Sequence, residues 1–306
     1  MSELTIVTAF FDIGRAGWKG YARGSDRYVS YFEHWARLQN RVILYSTPDI
    51  CKKAMAVRER FGLADRTICI PVSSITDVDP MLYEKIKNAM AQKESWRFHK
   101  NLRNPESWNP LYNYMTDLKP YWVQDAVRRG LADGMVAWLD FGFNHGGQFF
   151  PFAEDFNYLW QYDFSQKIHI FLFKEMDELP IFRIVQNMDT YVQGGIIIAP
   201  SGLWKTLWED FRGSILALAE CGLADDDQLI MLMAYRRHPD LFETHMTTWW
   251  GEPVYTYGGN HLHVRSRKPA YPNTFSRRFK RFRRKWMTRL DIRRRKGTDI
   301  EKAHFK

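Results

Sequence analysis

Short apolar runs alternate along the chain with stretches whose apolar residues recur every three or four positions. Leu4 to Phe11 is a continuous run rich in β-branched and aromatic residues and predicts a buried strand. Gly14, Gly17, Gly20 and Gly24 then predict a long loop. Ser25 or Asp26 stands where a helix cap is needed, ahead of Val29, Phe32, Trp35 and Ala36 on one helical face. Two further strands are predicted from Arg41 to Thr47 and from Ile68 to Val72. Asp79-Pro80 and Asn109-Pro110 each set a capping side chain before a proline, so helices should start there, and Pro120 should break or restart the second.

Met135 to Asp140 is almost wholly apolar, as a central strand covered on both faces would be. Lys167 to Phe173 and Tyr191 to Ala199 predict two more strands, with Gly194 and Gly195 interrupting the second as a bulge or a point of close approach. Ser201 should cap a helix ending near Gly222, and Asp225 the next, with Gln228 completing a capping box. This alternation predicts an α/β fold, a mostly parallel sheet with helices on both faces. Ligands of such sheets bind beyond the carboxyl ends of the strands, here residues 8–15, 140–147 and 193–195.

Chemistry-bearing residues fall at those ends. Asp140 leaves an apolar strand into a turn-forming run, where it either holds a hard cation or accepts hydrogen bonds from the loop amides. Asp226 and Asp227 belong to a triple aspartate at a predicted helix start. One carboxylate suffices for a cap, so another is free to act as a general base. His261 and His263 alternate in an expected extended segment and are either further metal ligands or structural histidines. Arg15, Arg27 and Lys119 are candidate diphosphate contacts, or simply solvated cations.

Charge distribution changes the picture. The formal charge is +9, yet fifteen Lys/Arg face the single acid Asp291 between Arg265 and Lys296. The rest of the chain is therefore acidic. Phe275, Phe279, Phe282, Trp286 and Leu290 in that segment form one apolar helical stripe among basic residues. A basic amphipathic helix of this kind fits an anionic membrane surface. The other reading docks its stripe on the protein's own body. Nucleic acid is not expected as a partner, because the aromatics lie along a stripe and make no platform for bases. Cys51, Cys69 and Cys221 are unpaired in spacing and are read as buried thiols of a reducing compartment. With no signal-like start and no apolar run near the ~20 residues of a membrane helix, a cytoplasmic protein, peripheral on the inner membrane face, is expected.

Four motifs together resemble the HtrL/YibB family of bacterial proteins: Ile6 to Arg15 (IVTAFFDIGR), Arg27 to Phe32 (RYVSYF), Trp138 to Phe143 (WLDFGF) and Val192 to Gly195 (VQGG). The likeness runs from about Thr5 to Trp250. That resemblance implies a GT-A-like glycosyltransferase unit over residues 1–264, followed by the basic tail, 265–306. It implies a nucleotide-diphosphosugar donor, Mn²⁺ or Mg²⁺, and a cell-surface glycan or lipid-linked acceptor such as lipopolysaccharide. By the same likeness Asp140 matches the first position of the metal-binding D-x-D motif, whose last position is Gly142 here. Thr8, Ala9 and Phe10 would meet the nucleoside, and Asp226 or Asp227 the acceptor. A non-catalytic nucleotide or sugar binder on the same fold is the alternative, with a nucleic-acid binder acting through the tail behind it.

Overall fold

The computed structural model describes residues 2–18, 22–265, 267 and 286. Seven strands form one sheet: β1 (Thr5–Phe10), β2 (Val42–Ser46), β3 (Thr67–Pro71), β4 (Met135–Leu139), β5 (Ile168–Leu172), β6 (Ile196–Pro200) and β7 (Phe242–Met246). Their order across the sheet is β3-β2-β1-β4-β6-β5-β7. All neighbouring pairs are parallel except those made by β6, which runs against both β4 and β5. The order reverses between β1 and β4, so a crevice opens at their carboxyl ends.

Alternate residues of each strand feed two cores. Val7, Ile43 and Tyr45 pack on one face, Ile6, Val42 and Leu44 on the other. Helices α1 (Ser25–Trp35) and α2 (Pro48–Arg60) cover the second face, joined there by α10 (Glu252–Gly258). The first face carries α3 (Pro80–Ala91), α5 (Pro110–Asp117), α6 (Lys119–Arg128), α8 (Trp204–Glu220) and α9 (Asp227–Arg237). Two short helices, α4 (Lys93–Phe98) and α7 (Ile181–Asn187), complete the set among the described residues. The expected α/β architecture, one mostly parallel sheet with helices on both faces, is the observed one.

Local chemistry sets the helix starts. Asp79 accepts from the Leu82 amide at 3.0 Å and Asn109 from the Tyr112 amide at 2.8 Å, each just ahead of a proline. Elsewhere the caps differ from expectation. The residue before α1 is Gly24, and Ser25 hydrogen-bonds Asp12 instead. Asp226, not Asp225, caps α9 through the Gln228 amide at 3.1 Å, while Asp225 accepts from the Asp226 amide. Ser201 opens a 3-10 turn before α8 without capping it.

The segment expected as a strand from Tyr191 to Ala199 is one only from Ile196 onward, and it is antiparallel. Gly195 still accepts from the Asp140 amide in line with the β4 pairing, but the Gly194 carbonyl bonds Lys119 instead of a neighbouring strand, which interrupts the strand there. Cys51 is buried, but Cys221, which follows α8, is exposed, contrary to the expectation of three buried thiols. No described helix is long and apolar enough to cross a membrane. Phe275, Phe279, Phe282 and Leu290 lie outside the described residues, and Trp286 is exposed.

A candidate ligand cleft

A cleft of about 340 Å³ lies over the carboxyl ends of β1 and β4. Its lining includes Ala9 and Phe10 from β1, Arg15 and Arg23 from the loop after it, and Lys119 from the start of α6. Asp140 and Gly142 follow β4. Gln193, Gly194 and Gly195 precede β6, and Asp227 opens α9. The size suits a nucleotide-sized ligand.

One wall is acidic. Lys119 sits at its centre, its ammonium donating to Asp227 Oδ2 and to the Gly194 carbonyl, each at 2.8 Å, and facing Asp140 Oδ1 at 3.2 Å. Those three partners engage its three hydrogens. Lys119 is thus a counter-ion held in the wall and not the diphosphate contact expected from the sequence. The two carboxylates hold its pKa above the ordinary lysine value despite burial. Asp227 is buried, and desolvation, offset in part by Lys119, raises its pKa to about 7.

More acids stand behind. Asp226 is raised to about 7, burial and the neighbouring Glu106 being the chief causes. Burial also pushes Asp225 and Asp117 well above the usual carboxylate range, and Glu106 upward. Asp117 Oδ1 has no hydrogen-bond partner among the described residues. Asp225, Asp226 and Glu106 line a small separate cavity, so Asp226 serves the helix cap and this second space and does not line the cleft.

Glycines let the wall close. A Cβ at Gly194 would lie 2.1 Å from Asp227 Oδ2, so any other residue there would expel the carboxylate. A Cβ at Gly142 would lie 3.0 Å from the Tyr28 ring. A second D-x-D aspartate would fit there only if the Tyr28 ring shifted by a few tenths of an ångström. Asp140 Oδ1 accepts from the Trp138 indole at 2.8 Å as well as facing Lys119. Its side chain is 40% exposed, and Oδ2 lies beside Gly195.

Another part of the lining is aromatic and basic. Phe10 packs against Tyr28 and Phe141, with ring centres 4.6 and 5.3 Å apart. The Arg15 guanidinium donates to the Tyr28 hydroxyl at 2.6 Å and lies near the Trp18, Tyr28 and Tyr112 rings, and its buried Nε has no partner among the described residues. Arg23 lies 3.3 Å from His145 Nε2. Gln193 donates to the Trp250 carbonyl, and its buried Oε1 also has no partner among the described residues. Buried polar atoms are normally satisfied, so these two are exceptions beside the cleft.

Other expected site residues lie elsewhere. Thr8 is fully buried beneath the cleft residues and does not line it. Arg27 is exposed, 5.7 Å over Tyr31, and faces no cleft. His261 and His263 sit in a turn and bond Asp155, at its carbonyl and its carboxylate, so neither joins Asp140. Arg23, Glu106 and Asp117 are not among the expected site residues, and Gln193 is expected only as part of the segment 193–195. Only Asp117 carried a signal, an acid set in an otherwise apolar helix end.

A divalent cation in the cleft would have the half-exposed Asp140 carboxylate as its protein oxygen donor, with ligand phosphates and water for the rest. Magnesium commonly takes such a set of one carboxylate plus phosphates. The residues present fit such an ion.

Fold and cleft together define an α/β protein with a candidate ligand cleft, lined by acidic, aromatic and basic residues, at the switch point of its sheet. The chain belongs to the HtrL/YibB family, whose model, described as a bacterial protein of unknown function, matches residues 2–252. It is 33% identical over 257 residues to Protein HtrL of Escherichia coli (strain K12), covering 79% of this chain and 87% of that protein. Among solved structures it is similar to mouse xyloside xylosyltransferase 1 in its apo form. That match has a TM-score of 0.43 and 14% identity, and covers 83% of this chain and 91% of the other.

Proposed function

We propose that this protein is a glycosyltransferase that moves a sugar from a nucleotide-diphosphosugar to a hydroxyl of a glycan or lipid-linked acceptor. The observation that carries the reading is the two-sided cleft. A nucleotide sugar needs aromatic surface for its base, cations for its diphosphate and a carboxylate at its reacting carbon. Phe10, Tyr28 and Phe141 offer the first, Arg15 and Arg23 the second, and Asp227 the third.

In the inverting form of this reaction the acceptor oxygen attacks the anomeric carbon. The carbon–oxygen bond to the diphosphate breaks with its electron pair, and Asp227 takes the hydroxyl proton. A carboxylate raised to about 7 is suited to that task near neutral pH. Arg15 and Arg23 stabilise charge accumulating on the leaving diphosphate. A divalent ion, when held by Asp140, supplies further charge neutralisation there.

The basic segment 265–306 supports attachment to an anionic membrane on the cytoplasmic side, where a lipid-linked acceptor would be met. Flotation with anionic vesicles should be lost on truncation at Arg265. Retention would remove the membrane from the proposal.

The central test is a thermal-shift panel of nucleoside diphosphates with and without Mn²⁺, on wild type and Asp140→Asn. One nucleotide should raise the melting temperature as its occupancy rises, Mn²⁺ should add to the shift, and Asp140→Asn should lose that addition. If no diphosphate shifts wild type, the donor reading is wrong. Gly142, which leaves Asp140 the sole carboxylate of its motif, favours one second reading, a nucleotide binder without transferase activity. Diphosphate binding with no turnover on any donor would select it.

A further inference from the structure

A second cluster lies outside the cleft, where β5 pairs with the sheet's edge strand β7. The parallel register sets His169 opposite Glu243 and Phe171 opposite His245. Strand side chains alternate, so His169, Glu243 and His245 all project from one sheet face. His169 Nδ1 and His245 Nε2 are 2.9 Å apart, and Glu243 Oε1 is 3.9 Å from His245 Nε2. One ligand atom from each residue lies within 4.8 Å of the others. A tetrahedral zinc ion with bonds of ~2.0–2.1 Å needs donors ~3.3 Å apart, a value between the two measured separations.

The surroundings select the ligating atoms. His169 Nε2 is 3.0 Å from the Ser165 carbonyl, which only accepts, so Nε2 carries the proton and Nδ1 presents its lone pair inward. His245 Nδ1 meets the Tyr257 hydroxyl at 3.0 Å. That hydroxyl either donates or accepts, so His245 can carry its proton on Nδ1 and free Nε2. The Ser165 hydroxyl holds the other Glu243 oxygen at 2.5 Å. Each ligand thus has an outer partner that fixes its orientation, the arrangement found around protein-bound zinc. His169 is buried whereas the Glu243 side chain is 43% exposed, so the site opens to solvent on the carboxylate side.

We propose that His169, Glu243 and His245 bind one divalent transition metal of the zinc type, with water in the fourth position. The ion ties the edge strand β7 to β5. On binding, the His245 proton moves from Nε2 to Nδ1 and donates to Tyr257, so the imidazole stays neutral and no redox partner is needed. Two histidines and one carboxylate prefer such a metal to magnesium or calcium. The site is independent of the cleft and of the transferase reading.

The test uses the full chain, stripped with a chelator and titrated with Co²⁺, whose tetrahedral complexes absorb visibly. One equivalent of Co²⁺ should give the band, and one equivalent of Zn²⁺ should abolish it. His245→Gln should lose the band. Glu243→Gln, at a half-exposed position where folding is not at issue, should weaken Co²⁺ binding at least tenfold. Asp140→Asn and the double variant His261→Ala/His263→Ala should keep the band. The proposal is overturned if wild type gives no stoichiometric band. It is equally overturned if the band survives unchanged in Glu243→Gln and His245→Gln, or if it disappears with His261 and His263.

Discussion

The two walls of the cleft handle charge in opposite ways. In the acidic wall Asp227 is buried beside Lys119, and Asp117, Asp225 and Asp226 are buried behind it. On the other wall Arg15 and Arg23 are half-buried and rest against aromatic rings and a histidine. Burying like charges together is costly unless protons or a counter-ion relieve them, so the acidic wall is tuned in pKa and rigid in position. The planar guanidinium of arginine stacks on aromatic rings and presents several donors to a ligand. Proton transfer is thus assigned to the wall of buried acids, and recognition to the wall that carries the arginines.

Removing the counter-ion should expose that contrast most strongly. Lys119→Met leaves Asp227 buried and unpaired and should cost roughly 3–5 kcal/mol in denaturant unfolding. Adding Asp227→Asn should recover part of the loss. A similar penalty from Arg15→Met would show that the walls do not differ. Next in size, Asp227→Asn alone should lower sugar transfer by ~10²–10⁴-fold while nucleotide affinity changes little. In wild type the rate should climb as pH rises through about 7, where the base loses its proton. An Asn variant with that same pH limb would acquit Asp227.

A smaller effect belongs to stability. The wall's acids have folded pKa values above their unfolded ones, so the native state binds more protons than the unfolded chain between about pH 4 and pH 7. Their contribution is therefore greatest in acid and falls as pH rises. Asp117→Asn should melt higher than wild type at pH 8 and gain little at pH 4. An equal gain at both pH values would point to packing instead of charge. Smallest of all, Arg15→Lys keeps the charge but loses the stacked planar group. It should weaken nucleotide binding about tenfold by calorimetry, with no change in the pH profile.

Much of the frame was legible in advance because central strands advertise themselves. The apolar stretch ending at Asp140 and the run ending at Phe10 mark two strand ends, and a sheet brings such ends together. Gly194, Gly195 and Asp227 could be picked out because glycine pairs and surplus acids are unusual locally. Their direct contact, and the third partner Lys119, depends on packing between α6, α9 and the sheet that no local pattern encodes. The same limit hid Glu106, a polar residue without a periodic signal. β6 read as another parallel strand because direction leaves no mark on an apolar run. β7 is polar between Phe242 and Met246, as suits an edge strand, and carried too weak an apolar signal to be read as one. His261 and His263 alternate as strand residues would, but the chain turns there and both meet Asp155.

The reversed direction of β6 has a bearing on how this site tolerates change in length. Loops leaving parallel strands can grow at their tips with their anchors unmoved. The peptide from Val192 to Gly195 instead arrives at the sheet, and it is pinned twice within two residues, at the Lys119 ammonium and at the Asp140 amide. One inserted residue would slide both carbonyls off their partners before the ladder at Ile196 could absorb it. Insertions and deletions in homologous chains should therefore avoid this stretch and collect in the loop that follows β1.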